Sequence, residues 1–193
     1  MRKVFIILGI ITLSLQLKAN NDAGPDSLIT YQRADLSYVF GCQIYNDNFQ
    51  YDPGFSFQGS FGMMINEFVG FGIGAGHQVF QHEKFIPLFV EAVGYKKDKC
   101  NTPFVKMQAG YSIGWHTGTV DMEGYRYRGG FHFDAGIGRK FPVGGDYSVL
   151  FHCSYRHQFA NIRYTISGSS DYTQALNYDM IVISLGLLFG NRN

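Results

Sequence analysis

Charge is scarce in this chain. Asp, Glu, Lys and Arg make up 16% of its 193 residues, and the formal net charge is only +1. That balance gives no reason to expect a nucleic-acid or polyanion partner. Scarce charge beside 24 Gly, 18 Phe and 13 Tyr also argues against a protein of long helices. Cysteine is nearly absent: Cys42, Cys100 and Cys153 are an odd set that cannot pair completely within one chain. No close Cys/His pair has the spacing of zinc ligands, so neither a metal nor another cofactor is expected. Beyond the first twenty residues there is no apolar run approaching about 18 residues, so any membrane crossing would have to be made by strands.

The one long apolar stretch stands at the start. Arg2 and Lys3 precede VFIILGIITLSLQL at 4–17, which Ser14 and Gln16 interrupt and which is short for a spanning helix of about 20 residues. Small Ala19 suits the position before a cleavage site, so residues 1–19 read as a secretory signal peptide. No cysteine follows directly, so a lipid-modified N-terminus is not expected. Residues 20–34, polar and rich in turn formers, read as a periplasmic lead-in.

From Asp35 the dominant period is two. Segments 35–44, 54–65, 68–80, 85–95, 103–115, 128–140, 146–158 and 178–189 each put one residue set on each face of a strand. One face is apolar and aromatic. It includes Phe57, Phe71, Leu88, Trp115, Phe131, Phe133, Phe151, Ile183, Leu185 and Phe189, and no charged residue is assigned to it. The other face carries Gly, Ser and Gln with a few charges. A soluble lipocalin-like ligand-binding barrel would turn the apolar set inward and should show Lys and Glu on its polar face. A face of small polar residues instead suits the crowded lumen of eight strands, with the apolar set turned to lipid. The connections agree: 45–53, 116–127 and 159–177 are long, whereas 66–67 and 141–145 are short, as in a barrel with long outer loops and short periplasmic turns. The expectation is therefore an all-β, eight-stranded antiparallel up-and-down transmembrane β-barrel over 35–189, with a tail at 190–193.

GFGIGAG at 70–76, FIPLFVEA at 85–92, PFVKMQAGYSIG at 103–114, GGFHFDAGIGRKF at 129–141 and the closing ISLGLLF at 183–189, taken in order, resemble the small outer-membrane β-barrel proteins of Bacteroidota, the outer membrane protein beta-barrel domain family. The resemblance spans most of 35–189. It implies residence in the outer membrane after removal of the signal peptide, with membrane lipid and the barrel-insertion machinery as partners. Phe189 resembles the terminal aromatic that this machinery reads, although Gly190, Asn191, Arg192 and Asn193 follow it here. No extracellular partner can be named from the sequence.

Candidate chemistry is sparse. The glycines at 70, 72, 74 and 76 lack the strand-to-helix context of a phosphate loop and read as space for bulky neighbours. The inward set Glu91, Lys106, Gln108, His132, Asp134, His152 and Arg156 reads as a mutually paired network filling the lumen, because charges inside a narrow barrel are costly unless paired. His152 and Ser154 weakly resemble the His-x-Ser pair of a lipid A deacylase group. They fall on the polar face, however, and no outward carboxylate is evident, so no catalytic residue is assigned. Tyr125, Tyr127, Tyr172 and Tyr178 lie in or beside the long loops and read as contact residues or interfacial aromatics. The reading is a non-enzymatic barrel acting structurally or through its outer loops, with a lipid A-modifying acyl hydrolase and a soluble lipocalin-like barrel as alternatives.

Overall fold

A computed structural model describes residues 29–45, 48–96, 101–120, 124–166 and 170–190. The signal-peptide segment, most of the lead-in, Cys100 and the tail from Asn191 lie outside the described residues. The strands are β1 (Thr30–Tyr45), β2 (Asn48–Tyr51), β3 (Gly54–Met64), β4 (Val69–Val79), β5 (Glu83–Tyr95), β6 (Thr102–His116), β7 (Arg126–Gly144), β8 (Tyr147–Ile166) and β9 (Ser170–Gly190). The short β2 folds back on the end of β1. The others run in chain order from β1 through β3 to β9, and β9 pairs with β1, closing an eight-stranded, all-antiparallel barrel. The seam is long: Tyr31 pairs with Gly190 at one end and Gln43 with Tyr178 at the other. Closure leaves the barrel wall without a free edge.

Two boundaries differ from the sequence reading. Thr30–Ala34, read as lead-in, is barrel wall, because Tyr31 and Arg33 continue the inward set of β1 and are buried. The segment 159–177, read as the longest loop, is mostly a two-stranded ribbon in which β8 and β9 stay paired out to Ile166 and Ser170. Cross-strand contacts stabilise this ribbon: Tyr164 stacks on Tyr172 at 6.0 Å, and Asp171 accepts hydrogen bonds from Arg163 and Thr165. At the opposite end β7 and β8 meet in a tight turn, where Gly145 takes a left-handed conformation with φ of 57°.

The period of two sorts the side chains as the faces suggest. Leu36 and Ile73 on the outer wall are 61% and 66% exposed, whereas Lys106 and Glu91 inside are 1% and 3% exposed. The charge-free reading of the outer face needs correction at its margins. Arg139 points outward toward the end that holds the chain termini, and Arg128 and Asp179 point outward near the other end. Between these charges the outer wall is mostly apolar, with Gln32 and His77 among the few polar side chains it carries.

The lumen is layered. Toward the termini it is filled by Tyr31, Met64, Val93, Tyr95, Phe104, Leu150 and Leu188. Toward the loop end it is filled by Val39, Phe80, Phe85, Leu176, Tyr178, Met180 and Val182. The polar network lies between these apolar plugs. The glycines of β4 supply the room: a Cβ on Gly72 would lie 2.8 Å from the Tyr31 hydroxyl, and one on Gly74 would lie 2.4 Å from the Phe89 ring.

Candidate functional site

The central layer gathers charged groups from five strands. Arg33 of β1 lies with Nε 2.9 Å from Asp35 Oδ2 and Nη2 2.5 Å from Glu91 Oε2. Glu91 also accepts hydrogen bonds from the Tyr31 hydroxyl at 3.0 Å and from Gln108 Nε2 at 3.1 Å. A second cluster centres on Asp134. It accepts from Arg156 Nε at 2.9 Å and Ser154 Oγ at 3.1 Å, and Lys106 Nζ stands 3.3 Å away. Arg156 continues across the lumen to Gln78 Oε1 at 2.8 Å. The histidines border these clusters. His152 Nε2 is 3.4 Å from Asp35, and His132 Nδ1 is 3.0 Å from Ser112 Oγ.

The buried carboxylates Asp35, Glu91 and Asp134 are matched by the buried cations Arg33, Lys106 and Arg156, so the layer is neutral while its histidines are neutral. Alternation allows only every second residue of a strand to face the lumen, and these positions come from segments far apart in sequence. The Gln58 amide and His132 Nε2 find no protein partner among the described residues. Internal water is their expected ligand, as for other buried polar groups.

All seven residues of the expected interior set, Glu91, Lys106, Gln108, His132, Asp134, His152 and Arg156, are buried in this lumen. Arg33 and Asp35 belong with them and were missed, Arg33 because it fell in the supposed lead-in. The odd-numbered alternation of Tyr31, Arg33 and Asp35, opposite in phase to Leu36, Tyr38 and Phe40, was the signal that could have found them. Of the apolar set, Phe57, Phe71, Leu88, Phe131, Phe133, Phe151, Ile183 and Leu185 are exposed on the outer wall. Trp115 and Phe189 are half-buried, beside His77 at 6.2 Å and Tyr147 at 4.9 Å between ring centres. Tyr127 and Tyr178 are not loop contacts: Tyr127 donates a hydrogen bond to the Tyr178 hydroxyl at 2.9 Å inside the loop-end plug.

His152 and Ser154 both face the lumen, where Ser154 donates to Asp134. The outer wall does carry a carboxylate that the sequence reading overlooked. Asp179 accepts a hydrogen bond from the Tyr155 hydroxyl, and its Oδ1 lies 2.7 Å from His157 Nδ1. The register partners of His157 are Phe133 and Asp179. Neither supplies a hydroxyl or thiol; the Tyr155 hydroxyl lies 3.5 Å from His157 Nδ1 but donates to Asp179.

No family model matches the chain, and no curated protein matches it. Solved structures do. The outer membrane protein AlkL superposes with a TM-score of 0.63 at 10% identity, over 90% of this chain and 95% of that one. OprG from Pseudomonas aeruginosa gives 0.58 at 10% identity, over 88% and 99%. Neisserial surface protein A gives 0.56 at 14% identity, over 83% and 96%. At such identities the likeness is one of fold: a closed antiparallel barrel shared with outer-membrane proteins.

Proposed function

We propose that this protein is an outer-membrane β-barrel with a closed lumen and no catalytic activity, serving a structural or surface-interaction role through the end that carries its long connections. The single observation that carries this reading is the radial order of side chains: an apolar aromatic wall outside, and a paired polar layer between two apolar plugs inside. A water-soluble barrel would leave exposed a wall that includes Leu36, Ile73, Leu88 and Leu185, a surface far larger than the few hundred Å² of apolar patch usual on soluble monomers. In a bilayer the same wall is the solvent-matched surface. The ordered motifs support a place among the small outer-membrane barrels of Bacteroidota, with a cleaved signal peptide and delivery by the barrel-insertion machinery. The hydroxyl beside His157 is that of Tyr155, which donates to Asp179, and this supports a non-catalytic reading of the lipid side.

The protein is expected to fractionate with outer membranes and to migrate differently in detergent gels before and after heating. In planar bilayers the purified barrel is expected to give no steady conductance steps. Recovery as a soluble monomer without detergent would overturn the membrane reading, and nanosiemens-scale steps would overturn the closed lumen.

A further inference from the structure

At the loop end, above the apolar wall, the outer surface of β7 and β8 is cationic. Arg126 and Arg128 alternate with inward Tyr127 and are exposed, and Arg163 on β8 is exposed on the same side. The register sets Arg126 directly opposite Arg163. Like charges in that relation repel and destabilise a strand pair unless an anion offsets them. Asp171 offsets one. It bonds to Arg163, and hydrogen bonds from Arg163 and Thr165 hold its carboxyl below the usual range, so it stays ionised. Arg126 and Arg128 have no hydrogen bond or ion pair among the described residues.

The opposite end handles its cations differently. Arg139 donates to Asn101 at 3.4 Å, and Lys140 lies over the Tyr95 ring at 5.2 Å. Lys84 on the outer face of β5 and exposed Lys96 at the terminal end are isolated cations, so what distinguishes the outer face of β7 and β8 is the clustering of three arginines. Phe131, Phe133 and Phe159 lie directly below this cluster on the same strands, all exposed on the outer wall. A ligand that satisfies both features has phosphate above and acyl chains below.

We infer that the outer face of β7 and β8 docks a phosphorylated glycolipid of the outer leaflet, of the lipid A type, with Arg126, Arg128 and Arg163 on its phosphates and Phe131, Phe133 and Phe159 against its acyl chains. Arginine suits this task because its planar fork can bind two phosphate oxygens at once. A phosphate between Arg126 and Arg163 would also turn their mutual repulsion into shared attraction. The inference rests on the outer-membrane reading, with the loop end facing outward.

The test is native mass spectrometry of the full-length mature barrel refolded in detergent, titrated with bisphosphorylated lipid A, its dephosphorylated form, phosphatidylglycerol and inorganic phosphate. The wild type is compared with Arg126→Gln/Arg128→Gln, and heat-modifiable migration is checked for both. The expected result is selective retention of bisphosphorylated lipid A by the wild type, with affinity lower on the order of tenfold in the variant. Equal retention of the dephosphorylated lipid, or no change in the folded variant, would overturn the site. Equal retention of phosphatidylglycerol would overturn it in favour of a general anionic-lipid surface, and displacement by millimolar inorganic phosphate would overturn it in favour of a simple anion site. A wild-type chain that never forms a heat-modifiable barrel would instead overturn the membrane reading. If the double variant fails to fold, the single Arg128→Gln, which leaves the Arg126–Arg163 pair untouched, is expected to lose affinity in the same direction, and unchanged binding there overturns the site.

Discussion

Replacing Asp134 with Asn should unbalance the sealed lumen, and the cost can be worked from its neighbours. Asp134 is fully shielded from solvent, with Arg156 Nε at 2.9 Å and Lys106 Nζ at 3.3 Å. At an effective dielectric constant near 20, each attraction is about 5 kcal/mol, and burying the carboxylate takes back several kcal/mol. Asn keeps the shape and can still accept from Arg156 and Ser154, but it leaves two cations facing a neutral group. Breaking a buried pair from one side costs about 3–5 kcal/mol, and Asp134→Asn is expected in that range. Lys106→Met alone should cost less, because Asp134 retains Arg156 and Ser154. The double variant restores the balance of buried charge, so the two effects should couple by about 1–3 kcal/mol in the stabilising direction. The assay is equilibrium urea unfolding in lipid vesicles, followed by the fluorescence of Trp115, the single tryptophan, and by gel migration. A double variant whose loss equals the sum of the singles would refute the charge-balance argument.

Arg at Ile183, in the middle of the apolar wall, should cost about 2–4 kcal/mol in vesicles, whereas Arg at exposed Ala175 on the ribbon should cost about 0–1 kcal/mol; equal costs would misplace the belt. Gly110→Ala should destabilise by about 1–3 kcal/mol, because its Cβ would lie 1.9 Å from the Leu88 carbonyl oxygen and 2.7 Å from Phe89 Cα, both backbone atoms. Gly59→Ala, whose Cβ would meet nothing closer than 3.9 Å, should stay within about 0.5 kcal/mol of wild type in the same unfolding assay. Deleting residues 164–172 should leave the unfolding midpoint nearly unchanged, since β7 stops pairing with β8 at Arg163 and the ribbon beyond pairs only with itself. A lost transition on deletion would show the ribbon to be part of the barrel scaffold.

The alternation of residue types determined much of this architecture by itself. A period of two assigns each side chain to a face, and scarce charge on one face with Gly, Ser and Gln on the other says which face turns inward. That was enough to place Glu91, Lys106, Asp134 and Arg156 in the lumen and Phe71, Phe131 and Leu185 outside it. Local pattern does not say who stands opposite whom. The register of β1 against β9 and the curvature of the closed wall bring Arg33 to Glu91, 58 positions away, and set His152 beside Asp35. The apolar plugs were hidden for a related reason: Phe85, Tyr178 and Val182 share the phase of polar positions, and only their height along the barrel axis separates them from the charged layer. The same holds outside. Arg126 and Arg163 are unremarkable in sequence, but strand pairing makes them neighbours, because contacts between strands depend on register and closure, which are properties of the whole sheet.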